Sequence, residues 1–185
     1  MKIDQNIKDT IKASAIIAAV VILIVVGIGI YDAIANPEVE EIYGFITFSL
    51  ILHDDLDEIE VSNDILNFAD IISSNQIENP QEIDSALVRQ SSILRNYKER
   101  FYILISPTDE MRVLKESLIE EGSLFLTSYY YLREALESNS NGDYDACLLN
   151  IEEAKQRLND AMNLRTQNKL ELDQWKMKIE AELSD

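Results

Sequence analysis

Residues 13–31 read ASAIIAAVVILIVVGIGIY, an apolar run without one charged side chain. As an α-helix it spans about 28 Å, close to the hydrocarbon thickness of a bilayer. A core helix of a soluble domain carries a polar stripe, and this run has none. It therefore predicts a single transmembrane helix over 13–31, with Tyr31 at the interface. Residues 1–12 form a short N-terminal segment, 32–36 a linker, and 37–185 the remaining domain.

Positive charge sets the expected orientation. Lys2, Lys8 and Lys12 precede the run, and no further Lys or Arg occurs before Arg89. The positive-inside rule then places the N-terminus in the cytoplasm and the domain outside, at a cell membrane crossed once. Two processing signals compete with a permanent anchor. Ala33-Ile34-Ala35 fits an A-x-A cleavage site that would release a secreted domain after Ala35, although the apolar run is longer than most signal peptides. Lys12-Ala13 before the run looks like a prepilin-type processing site. Gly27 and Gly29 are small residues that allow membrane helices to approach closely.

The formal net charge is −18. That balance argues against nucleic acid and against docking on anionic head groups, both of which require a basic face. With 46% hydrophobic residues the chain is no acidic disordered tail, and only five Gly and three Pro interrupt it. Long helices are expected. Asn36-Pro37, Asn79-Pro80 and Ser106-Pro107 each pair a polar residue with a proline suited to a first helical turn. Apolar or small residues at Ile42, Phe45, Ser49, Leu52, Leu56, Ile59, Asn63, Leu66 and Ser73 predict one long helix over about 37–76, with a kink near Asp54-Asp55. The β-branched and aromatic content of residues 42–52 leaves a strand as the rival. Ile83, Leu87, Gln90, Leu94, Tyr97, Phe101 and Leu104 mark the cleanest amphipathic helix. Met111, Leu114, Leu118, Phe125, Leu132 and Leu136 mark the next, in which Gly122 permits a close crossing. Ser138–Gly142 is a loop by composition, and Asp143 caps a last helix carrying Ile151, Ala154, Leu158, Ala161, Leu172, Trp175 and Ile179. The expected fold is all-α: the membrane helix, then an antiparallel four-helix-bundle-like domain with long first and last helices.

Little chemistry is encoded. One Cys (Cys147) and one His (His53) exclude zinc sites and the di-iron Glu-x-x-His pair. His53 reads as a surface or interfacial residue and Cys147 as a small buried one. Asp54, Asp55, Asp57, Glu58 and Glu60 fall off the apolar seam and read as a solvated face. Residues 137–148 fail as a calcium loop, since Leu148 stands where a bidentate Glu is required. Gly142-Asp143-Tyr144, Cys147, Ile151 and Ala154 look like the turn and second helix of a tetratricopeptide repeat. No second copy is found, so a plain helix hairpin is expected. Tyr129, Tyr130 and Tyr131 cannot all face one core, because successive helical residues spread around the axis, and they form the candidate interaction surface.

No catalytic, cofactor or metal residue is assigned, and the expectation is a membrane-anchored, extracytoplasmic, non-enzymatic interaction or scaffolding protein. A protein partner or a homo-oligomer is expected, the latter through pairing of the last helix along Ile151, Leu158, Leu172 and Ile179. The outline also resembles the extracytoplasmic helical sensors of chemoreceptors and histidine kinases. That resemblance implies ligand binding relayed to a partner protein, but neither a second membrane helix nor an output domain follows here.

Overall fold

The computed structural model describes residues 37–58, 61–74 and 77–183. The anchor, linker and processing sites predicted before Pro37 lie outside the described residues. The chain divides into two compact units, Met1–Glu41 and Ile42–Asp185. Of the first, only the opening residues of a helix are described, and the helical bundle belongs to the second. Among the described residues no helix is long and apolar enough to cross a membrane.

Five helices are described: α1 (Pro37–Glu58), α2 (Val61–Ser73), α3 (Pro80–Ile103), α4 (Asp109–Ser140) and α5 (Tyr144–Glu182). The described residues are all-α, as expected, and residues 42–52 are helical rather than extended. The single long first helix is not observed: α1 ends at Glu58 and a separate α2 begins at Val61. The last turn of α1 contains acids and no basic residue, so its charge opposes the negative end of the helix dipole. The long last helix is present, at 39 residues.

Helices α3, α4 and α5 each start where a side chain satisfies an orphan N–H. Asn79 accepts from the Glu82 amide, with Pro80 opening the helix behind it. Thr108 accepts from the Met111 amide at 3.2 Å, so the cap lies one residue beyond the expected Ser106-Pro107 signal. Asp143 accepts from the Ala146 amide at 3.1 Å. The α4–α5 turn is shorter than its composition suggests, because α4 persists through Ser140. Gly142 closes it at φ +79°, a left-handed conformation that costs glycine little, and the Asp143 amide donates to the Ser138 carbonyl at 2.9 Å.

Cross-helix pairs define the topology. Ser117–Asn168 and Glu121–Arg165 run α4 antiparallel to α5. Asp84–Arg133 and the contact of Lys115 with the Tyr102 carbonyl run α3 antiparallel to α4. Asp54–Lys169 and Asp70–Lys155 lay α1 and then α2 along α5 in the opposite sense to it. The core is a heptad seam. On α5 the buried positions are Cys147, Ile151, Ala154, Leu158, Ala161, Arg165, Asn168 and Leu172, spaced by threes and fours, and Ile179, one heptad further on. Leu158 and Leu172 are thus buried in the chain's own core.

Gly122 is buried where α4 crosses α3. A Cβ there would stand 2.7 Å from Lys98 Cγ and 3.2 Å from Cδ1 of the buried Tyr97 ring. Gly122→Leu is expected to cost about 1–3 kcal/mol by overpacking, although leucine is the better helix former. Urea denaturation measures this. An unchanged or raised midpoint would show that the crossing can open freely.

Candidate functional site

Two arrangements of polar side chains stand out, one inside the bundle and one on its surface. The inner one interrupts the apolar seams of three helices at a single level. Glu121 on α4 is fully buried, and Arg165, Asn168 and His53 are buried around it. Arg165 Nη1 donates to Glu121 Oε1 at 2.8 Å, and Asn168 Nδ2 donates to Glu121 Oε2 at 2.8 Å. Arg165 Nη2 donates to the His53 carbonyl at 2.6 Å, which ties α1 to α5. His53 Nε2 lies 3.6 Å from Glu121 Oε2. Ser117 donates to Asn168 Oδ1 at 2.6 Å and extends the layer along α4. His53 is therefore interfacial, as one expectation held, and not on the surface.

Both carboxylate oxygens of Glu121 accept from dedicated donors, and the guanidinium facing it is oriented by a third helix. A buried charge held this way is neutralised and desolvated once, during folding. A surface pocket of about 400 Å³ lined by Met162, Thr166, Lys169, Leu170 and Asp173 reaches His53 and Arg165 from outside. The Arg165 guanidinium that it reaches already bonds Glu121 and the His53 carbonyl. The layer is accordingly suited to fixing helix register, not to capturing a ligand.

The surface arrangement is a groove of about 570 Å³ between the start of α3 and the end of α4. Pro80, Gln81, Asp84 and Ser85 form one wall; Tyr130, Arg133, Glu134 and Glu137 form the other. Arg133 Nε donates to Asp84 at 2.7 Å and bridges the walls. Tyr130 is 58% exposed. Its phenol is pushed up first by the charge of Glu134, with smaller contributions from burial, a hydrogen bond to Glu134 and the charge of Glu137. Tyr131 is half-buried and meets the Tyr130 ring edge-on at 5.6 Å. Tyr129 is 0% exposed and packs against Phe68. The three-tyrosine surface is therefore corrected to Tyr130 with part of Tyr131, because Tyr129 sits on the core side of α4 beside Ser128 and Leu132.

The remaining sequence candidates are dispersed. Asp54 and Asp55 are exposed, paired with Lys169 at 2.8 Å and Arg100 at 3.8 Å. Among the described residues no group of three or more His, Cys, Asp and Glu is placed to hold a metal ion. Cys147 is buried, and that burial pushes its thiol up, away from the reactive thiolate. Trp175 is half-buried with the Lys178 ammonium 4.5 Å from its ring centroid. Comparison with family models, with curated proteins and with solved structures yields no match.

Proposed function

We propose that this chain is a membrane-tethered, extracytoplasmic, non-enzymatic interaction module, a helical bundle on one N-terminal anchor that engages a protein partner through the Tyr130 groove. The observation that carries the reading is the groove itself. It presents a half-exposed aromatic ring beside Asp84, Glu134 and Glu137, with Arg133 the one cation among its lining residues. Tyrosine combines apolar area with a polar tip and is enriched at protein interfaces. The acids give the groove a preference for a basic segment, since opposite potentials favour encounter and exclude wrong partners. The uncharged run at 13–31 and the lysines before it support the anchor and its orientation. A bundle with register fixed by a buried polar layer is a rigid platform for such a surface.

The test is photo-crosslinking in intact cells. A photoreactive residue at Tyr130 is expected to give one discrete protein adduct, lost on Glu134→Lys. The same residue at the exposed Gln156 should give none. Equal labelling at both positions would remove the groove from the proposal. Full protection of the domain from external protease until lysis would overturn the orientation.

A further inference from the structure

One side of α3 runs along α4, and charge is divided along it. Asp84, Val88, Ser91, Arg95 and Lys98 step by fours and threes, so they share that side. Asp84 meets Arg133 at one end, and the Lys98 stem lies against Gly122 at the other. Ser123, Leu126, Tyr130 and Arg133 form the neighbouring stripe of α4 by the same spacing. The Tyr130 groove occupies the Asp84 end. There Asp84 is paired with Arg133, while Glu134 and Glu137 form no ion pair among the described residues.

At the Lys98 end the sign reverses. Residues 85–98 of α3 and 122–133 of α4 contain no Asp or Glu, in a chain with 34 of them. Arg95 and Lys98 form no ion pair among the described residues, and the next acid on α3, Glu99, does not supply one. By contrast Arg100, Arg112, Arg133, Lys155 and Arg157 each pair with a carboxylate. Between the two ends the surface is uncharged, and Val88 is 42% exposed. The hydroxyls of Ser91, Ser92 and Ser123 each donate to the carbonyl four residues back, at 2.8, 2.9 and 2.7 Å. Covering this stretch therefore strands none of these donors.

We infer that the partner seated on the Tyr130 groove is a second copy of this chain, the α3–α4 faces of the two copies meeting across a two-fold axis near Ser91 and Leu126. This names the groove's partner and so rests on the reading proposed above. A two-fold contact uses one patch twice, and each residue pair across it occurs in both senses. A patch that is acidic at one end and basic at the other is complementary to itself when turned end for end. Arg95 lies eleven residues from Asp84, about 16 Å along α3, too far to serve its own groove. On the facing copy the same offset brings it over Glu134. The groove thus receives the basic group that its acids favour, and Arg95 receives a carboxylate. Two chains of net charge −18 meet there without opposing carboxylates at the centre of the contact.

The test uses the purified full chain in detergent, with the photoreactive residue at Tyr130. Without any added protein it is expected to yield an adduct of twice the 21.1 kDa chain mass. Arg95→Glu should reduce that adduct at least about tenfold by setting carboxylate against carboxylate, and Glu134→Arg should do the same by setting cation against cation. The chain carrying both substitutions should recover it, because each copy again opposes Arg to Glu. Recovery separates a lost contact from a lost fold, and circular dichroism of each variant checks its helix content. A double-mass adduct that ignores Arg95→Glu, or that the double variant fails to restore, would overturn the interface. An adduct with a different protein in intact cells, and none from the purified chain, would overturn the second copy and leave the groove its role. No adduct in either setting would overturn both.

Discussion

Glu121→Ala is expected to destabilise the bundle by about 3–5 kcal/mol, the cost of removing one member of a buried, hydrogen-bonded charge pair. The variant takes the Glu121 carboxylate from the Arg165 guanidinium, leaves its bond to the His53 carbonyl, and removes the acceptor of Asn168. For a chain of this size the loss corresponds to a fall in Tm of roughly 10 °C. The pair itself contributes far less than its rupture costs, because both groups were desolvated to make it. Replacing the pair together, Glu121→Leu with Arg165→Met, is therefore expected to recover most of the loss or to exceed the wild type. Thermal and urea unfolding of the three proteins separate these cases. A single variant within about 1 kcal/mol of wild type would show that Arg165 is compensated without Glu121 and that the layer does not depend on this pair. A double variant as unstable as the single one would show instead that the layer supplies more than charge balance.

The same residues explain what the sequence concealed. The apolar stripe read on α5 jumps from Ala161 to Leu172, and that on α4 from Leu118 to Phe125. The seam is continuous in the structure because Arg165 and Asn168 occupy the gap on one helix and Glu121 occupies it on the other. Hydrophobic periodicity does not register a charged residue as buried, yet an unbroken three-four spacing across each gap was available, and oppositely charged residues stand in the two gaps. That coincidence is the signal that could have located the layer. By contrast, the helix starts were legible from Asn79-Pro80 and Asp143, since capping is local chemistry. The division of the first helix was less accessible. Apolar spacing continues across residues 56–66, and only the acids crowding the end of α1 argue against one helix there. The tyrosine triplet was half legible: geometry required that one ring leave the core, but which one depended on where Phe68 of α2 would lie. The groove beside Tyr130 joins residues about fifty positions apart, such as Asp84 and Arg133, which nothing short of the fold brings together.

Tyr129 should make the stability of the chain fall in alkali. Its side chain is fully buried against Phe68, and among the described residues its hydroxyl has no hydrogen-bond partner. Burial, and secondarily the charge of Asp64, push the phenol well above its ordinary value of 10.0. The sign follows from which state holds the proton. Below the unfolded value both states keep the phenol neutral, and its contribution is fully present. As pH rises past 10.0 the unfolded chain releases a proton that the folded chain retains, so folding weakens until the folded phenol ionises as well. Relative to Tyr129→Phe, the wild type is expected to lose about 1.4 kcal/mol per pH unit in this window. At neutral pH the two should differ little, or the phenylalanine variant should be the more stable, because it removes a buried hydroxyl with no bond to lose. Urea unfolding of both proteins from about pH 8 to 11.5 measures the difference, and the tyrosines that they share cancel. Parallel curves would mean that the phenol ionises in place, with water at Tyr129 and an open interface between α2 and α4.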